Sequence, residues 1–107
     1  MSHIKTAETK SPILDIIAKR WSPRAFSNQD ITDETLNTIL EAASWSFSAN
    51  NEQPWRYIVA KRGTETFQKI SELFTPGNKT WAPNAAALMI SVIKTTFARD
   101  NSINKAA

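Results

Sequence analysis

The 107-residue chain has no cysteine, which excludes disulfides, cysteine-ligated zinc and thiol catalysis. Its one histidine is His3, in a polar opening stretch, so serine–histidine dyads and histidine-based metal centres have nothing to stand on. Only two glycines occur, Gly63 and Gly77; a phosphate-cradling loop or a dinucleotide-binding turn needs several in close succession. No apolar run approaches the roughly 18 residues of a membrane helix. The opening MSHIKTAETK lacks the apolar core of a secretory signal, so a cytoplasmic protein with no membrane partner is expected. Net charge is +3, and the 13 Lys and Arg are scattered. Without a basic arm or stripe, nucleic acid is not an expected partner.

What remains is a chain that is 41% apolar, with four Trp, one Tyr and five Phe, enough for one globular domain but not two. Residues 1–10 read as a flexible lead-in and 11–107 as the folded part. Ser11-Pro12 offers a helix start, with Ser11 as N-cap and Pro12 at the first helical position. Ile13, Ile16 and Ile17, with Leu14, make the apolar stripe of a helix ending by about Arg20. A second helix begins at Thr32. This residue is a good N-cap, Asp33 and Glu34 suit the positive end of the dipole, and Leu36, Ile39, Leu40 and Ala43 recur at helical spacing. A strand near 56–61 is broken by Gly63, and Thr64 can cap a third helix through about Leu73. Ala86–Lys94 is almost continuously apolar and reads as a central strand buried on both faces. Two strands make a poor sheet. Further strands in 20–30 and 95–107, a partner chain, or more of a longer protein would complete it.

Three stretches could carry chemistry. Arg20, Ser22 and Arg24 alternate along an extended segment and could share one face, where two guanidiniums and a hydroxyl suit a phosphate and a polar ring edge. Spacing alone favours the plainer reading, ordinary surface arginines. Ser46–Tyr57, SFSANNEQPWRY, is a loop rich in donors and acceptors delivered into a strand. Its Asn, Glu and Gln could line a site or simply satisfy their own backbone. Trp21 and Trp81 flank polar loops, where stacking on a planar ligand competes with simple packing. Asp33 with Glu34, and Glu65 with Glu72, read as helix-surface charges.

Taken together these residues resemble the FMN-dependent nitroreductase family. RWSPRAF resembles its Arg-x-Ser-x-Arg/Lys-x-Phe opening, and the helix from Thr32 to Ala43 its first long helix. Ser46–Trp55 matches its Ser-x-x-Asn-x-Gln-Pro-Trp element, and Gly77-Asn78 followed by Trp81-Ala82 and an apolar strand matches another recurrent stretch. The four elements stand in order across residues 11–94. The resemblance implies an α+β fold, a mainly antiparallel sheet flanked by helices, of which this chain is the N-terminal portion with an incomplete C-terminal half. It implies a homodimer with a flavin site shared between subunits. The implied activity is ping-pong hydride transfer from NAD(P)H through FMN to a nitroaromatic or quinone-like acceptor.

By position the resemblance places Arg20 and Ser22 at the FMN phosphate and ribityl region, Arg24 at the flavin pyrimidine edge, and Asn78 beside the ribityl or pyrimidine side, with Trp21 also among the cofactor-binding residues. Phe47, Ser48, Ala49 and Asn51 match the loop reaching the neighbouring subunit's flavin. Phe47 and Ala49 depart from the family's usual Ser- or Pro-containing loop, which implies fewer partner contacts. No protein acid or base is required, because the cofactor does the redox chemistry. Two other readings stay open: a truncated, non-catalytic flavin-binding or dimerisation module, and a specialised flavin enzyme of the family, a dehalogenase or flavin-cleaving enzyme.

Overall fold

A computed structural model describes residues 5–107. His3 and the rest of 1–4, the first part of the expected lead-in, lie outside the described residues. The remainder of the lead-in is exposed, and Ala7 N–H donates to Ala18 C=O at 2.8 Å.

The element order is α1 (Asp15–Lys19), α2 (Asp33–Ser44), β1 (Trp55–Lys61), α3 (Glu65–Glu72) and β2 (Ala87–Ile93), with short 3₁₀ turns at Ala49–Asn51, Asn78–Thr80 and Ala82–Asn84. Thr32 caps α2 as expected, its Oγ1 accepting from Thr35 N–H at 3.1 Å. Thr64 does the same for α3, accepting from Phe67 N–H at 3.2 Å. Each satisfies one of the orphan donors of a helix start. Thr32→Ala should therefore cost about 1 kcal/mol of stability; an unchanged melting midpoint would remove Thr32 from that role. Gly63, at φ +89°, turns the chain from β1 into α3 in a conformation that side chains resist.

Two expectations need correction. Helix α1 does not start at Ser11-Pro12. It begins at Asp15 after Leu14, with no side-chain cap, and is barely more than one turn. So short a helix has little intrinsic stability, and its stripe buries nothing: Ile13, Leu14, Ile16 and Ile17 are all exposed. The second correction concerns β2. It pairs with β1 alone, antiparallel, with Ala60 opposite Leu88 and Trp55 opposite Ile93. It is therefore no central strand. Residues 20–30 form no strand, and 95–107 add a single bridge, Thr96 to Ile103. With no second neighbour, Met89, Val92 and Ile93 stay exposed.

The core sits at one end of the sheet. Side chains alternate faces along a strand, so Ala60, Leu88 and Ile90 share one face, where α3 covers them with Phe67 and Ile70. Helix α2 lies over the opposite face, with Leu36 buried and Asp33 paired to Lys61 at 3.0 Å. Toward the Trp55/Ile93 end Tyr57, Ile58, Val92 and Ile93 are exposed. The consequence is an open molecule. Its radius of gyration is 17.2 Å, against about 13 Å for a compact chain of this length. It exposes 8894 Å², against about 6,000 Å² for a compact 12 kDa monomer. No helix among the described residues is long and apolar enough to cross a membrane.

Candidate functional site

The arginine-rich strip follows α1 directly. Residues 20–26 form neither helix nor strand, and Arg20, Trp21, Ser22 and Arg24 are all exposed. Pro23 removes one backbone donor and biases Ser22 toward extended geometry, which keeps the strip from continuing the helix. Among the described residues neither Arg20 nor Arg24 is held in an ion pair, so both guanidiniums are available to an anion. Lys5 Nζ stands 5.1 Å from the centre of the Trp21 ring.

Two ties place this strip in the fold. Phe26 packs on Trp81 with ring centroids 6.0 Å apart and planes inclined at 36°. Arg62, just beyond β1, binds the residues that follow the strip. Its Nη1 donates to Asn28 C=O and Asp30 Oδ1, both at 3.1 Å, and its Nη2 to Ser27 C=O at 3.4 Å. The same guanidinium holds the turn before β2, through Nη2 to Asn84 C=O at 2.7 Å and Nε to Ala85 C=O at 3.2 Å. That turn belongs to the run of 3₁₀ structure beginning at Asn78, which is itself exposed. The strip and the Asn78–Trp81 turn thus lie side by side at the Lys61/Ala87 end of the sheet. Sequence reasoning missed Arg62, because one cation after a strand carries no periodicity or motif to mark it.

The second group of expected site residues stands elsewhere. The 46–53 loop enters β1 at Trp55, six residues and about 20 Å of strand from the Lys61 end. It is held firmly. Ser48 Oγ accepts from Gln53 N–H at 3.2 Å, and Arg56 Nη1 donates to the carbonyls of Gln53 at 2.8 Å and Trp55 at 2.7 Å. Lys94 N–H donates to Pro54 C=O at 2.8 Å, while both oxygens of Glu52 lie 3.3 Å from Ala98 N–H. Asn50, Asn51 and Gln53 adopt left-handed backbone with φ of 54°, 53° and 50°. Such residues cost of order 1 kcal/mol or more each and persist where the surroundings dictate them. At the tip, Ser48 and Ala49 are half-buried, Asn51 is exposed, and Phe47 reaches 104% exposure. Trp45, at the end of α2, is 83% exposed.

The nine expected residues fall in two groups. Asn78 lies toward the Lys61/Ala87 end of the hairpin, where Phe26 and residues 27–30 are tied, and Arg20, Trp21, Ser22 and Arg24 precede those tied residues in an exposed extended strip. Phe47, Ser48, Ala49 and Asn51 belong to the loop that enters at the Trp55 end. A space of about 330 Å³ between α2 and β1, walled by Asp33, Leu36, Asn37, Leu40, Val59 and Lys61, contains none of them. Glu65, read as a surface charge, pairs with Lys69 at 3.3 Å on the exposed face of α3. Among the described residues no cluster could hold a metal. The first group does fit a phosphate-bearing planar cofactor in its chemistry. It offers two cationic forks, a hydroxyl, a carboxamide and indole faces, all open to approach.

Comparison with known proteins identifies the family and the fold. The sequence model described as "Nitroreductase family" matches residues 17–101. A protein of Archaeoglobus fulgidus named "Putative NADH dehydrogenase/NAD(P)H nitroreductase" is 44% identical over 77 residues, 72% of this chain and 42% of that protein. Among solved structures, one described as an oxidoreductase containing FMN is 33% identical and superposes with a TM-score of 0.85, covering 99% of this chain and 55% of the other. A second, a Desulfovibrio desulfuricans protein crystallised with FMN, gives a TM-score of 0.72 at 24% identity, over 91% of this chain and 53% of its own, and shares the fold. The chain thus spans about half the length of the proteins it matches. Its α+β architecture is that of the nitroreductase fold. On the family match, which covers most of its length, the chain belongs to the nitroreductase family.

Proposed function

We propose that this chain is the N-terminal portion, residues 11–107, of a cytoplasmic FMN-dependent NAD(P)H oxidoreductase of nitroreductase type, working as a homodimer. The separation of the expected site residues is the observation that carries this reading. The strip is tied, through Phe26 and residues 27–30, to the Lys61 end of the hairpin, and the Phe47–Asn51 loop enters at the Trp55 end, about 20 Å of strand away. A second copy, turned so that its Phe47–Asn51 loop meets the first copy's Arg20–Arg24 strip, would complete two equivalent sites, as a two-fold interface does. The exposed Ile58, Val92 and Ile93 toward one end of the sheet, with the exposed Trp45 and Phe47, supply apolar surface for such packing.

In this reading Arg20 and Ser22 hold the phosphate and ribityl end, with Trp21 against them. Arg24 lies at the pyrimidine edge, where its charge opposes the negative charge that reduction places on the ring. Asn78 donates from the adjoining turn. Bound FMN would supply the redox chemistry, taking reducing equivalents from NAD(P)H and delivering them to a nitroaromatic or quinone-type acceptor. The name of the Archaeoglobus relative and the FMN of the solved structures support the donor and the cofactor. The chain's own residues bind and orient; none is asked to move a proton.

Titration of the protein with FMN, followed by flavin fluorescence and by sizing of the complex, tests this. Saturable binding to a dimer is expected. Absence of binding at micromolar flavin would overturn the proposal for this chain. The openness of the molecule favours one rival, a non-catalytic flavin-binding or dimerisation module. NAD(P)H oxidation with a nitroaromatic or quinone would eliminate it.

A further inference from the structure

We propose that Arg62 is the positioning residue of the flavin-binding strip, a role that rests on the flavin reading above but is carried by its own geometry. A guanidinium has five N–H donors in a rigid plane, and Arg62 makes five bonds with them, to Ser27, Asn28, Asp30, Asn84 and Ala85. Four of the five acceptors are backbone carbonyls from two separate segments. The pattern is that of a clamp rather than an ion pair: the Asp30 carboxylate is largely exposed, while the carbonyls are held at fixed positions on both walls.

What the clamp joins gives it a function. On one side lies the loop immediately after Arg20–Phe26. On the other lies the turn immediately after Asn78–Trp81. Among the described residues, these bonds are the only hydrogen bonds reaching 20–30 from elsewhere in the fold, and the segment belongs to no helix or strand that would order it. Arg62 is itself anchored, since its backbone N–H donates to Ala86 C=O at 2.9 Å, extending the β1–β2 ladder. The sheet therefore sets the position of residues 27–30, and with them the end of the strip, through this side chain. Phe26 on Trp81 adds the apolar contact that the clamp brings into register. Arg62 acts through Arg24 and Asn78 and needs no contact with the flavin.

Arg62→Ala should weaken FMN binding by roughly tenfold or more, the scale at which lost positioning is felt. Arg62→Lys keeps the charge and the fold but cannot span both walls with a planar fork; it should melt like the parent and still bind FMN more weakly. The decisive measurement is the double variant. If Arg62 works by placing Arg24, then Arg62→Ala in an Arg24→Ala background should add little further loss. Independent, additive losses would show that Arg62 is a structural residue only, and would overturn the proposal. Parent-like affinity in Arg62→Lys would overturn it as well. Amide hydrogen exchange without flavin decides the matter separately. Faster exchange at the hydrogen-bonded amides of Trp81, Asn84 and Ala85 in Arg62→Lys is expected, and exchange unchanged there would overturn the clamp even if FMN binds. Should FMN fail to bind the unsubstituted chain, the flavin reading falls and the exchange data alone judge the clamp.

Discussion

Phe67→Ala should abolish cooperative unfolding of this chain. Phe67 is 6% exposed and stands between α3 and the sheet, against Ala60, Ile70 and Leu88, with Phe74, Ala85 and Ile90 at the margin. Truncating a buried phenylalanine costs about 3–5 kcal/mol, because the lost transfer free energy is joined by the cavity left behind. A domain of this size has at most about 5–15 kcal/mol to lose, and few other side chains here are buried. The loss should leave a chain without a sharp melting transition and with weak near-ultraviolet circular dichroism. Ile17→Ala is the contrast. Its side chain lies on exposed α1, 59% accessible, and the change should fall within about 0.5 kcal/mol in the isolated chain. A cooperative melt retained in Phe67→Ala would mean that the stability resides elsewhere. An Ile17→Ala effect that grows with protein concentration would show α1 covered by a second copy.

The contrast between these positions also marks what the sequence could convey. Helices α2 and α3 and strand β1 were legible because their signals are local: a threonine cap, acidic residues in the first turn, a glycine at a positive φ. The same reading placed α1 too early. Ser11-Pro12 carries the right residue types, yet α1 has no partner surface in this chain to hold a longer helix. Strand β2 misled for a related reason. Its apolar run was read as a strand buried on both faces, and burial depends on neighbours that residues 5–107 do not provide. The family motifs were legible as strings, and their order along the chain was enough to identify the fold. That the 46–53 loop and the Asn78 turn lie at opposite ends of a hairpin was not legible, since it follows from the antiparallel register of Trp55 with Ile93 and Lys61 with Ala87. Nor was Arg62, whose meaning comes from five acceptors that lie more than 20 residues away in sequence.

Arg24→Ala should weaken FMN binding and lower the flavin's reduction potential, and the pairing of the two effects is the test. A charge-assisted hydrogen bond contributes about 1.5–3 kcal/mol, and exposure of the strip places the expected loss at the low end, roughly tenfold in Kd. If the cation lies at the pyrimidine edge, its removal penalises the reduced ring more than the oxidised one. A difference of about 1.4 kcal/mol corresponds to roughly 30 mV for a two-electron couple. Arg20→Ala separates binding from tuning. Placed at the phosphate end, Arg20 should contribute to affinity and leave the potential close to the parent value, because the phosphate charge does not change on reduction. Arg24→Lys should restore most of the potential, which needs only a positive charge, and less of the affinity, which uses the fork. Equal shifts of potential in Arg20→Ala and Arg24→Ala would exchange or merge the two assignments. Unchanged affinity and potential in Arg24→Ala would remove this residue from the flavin site altogether.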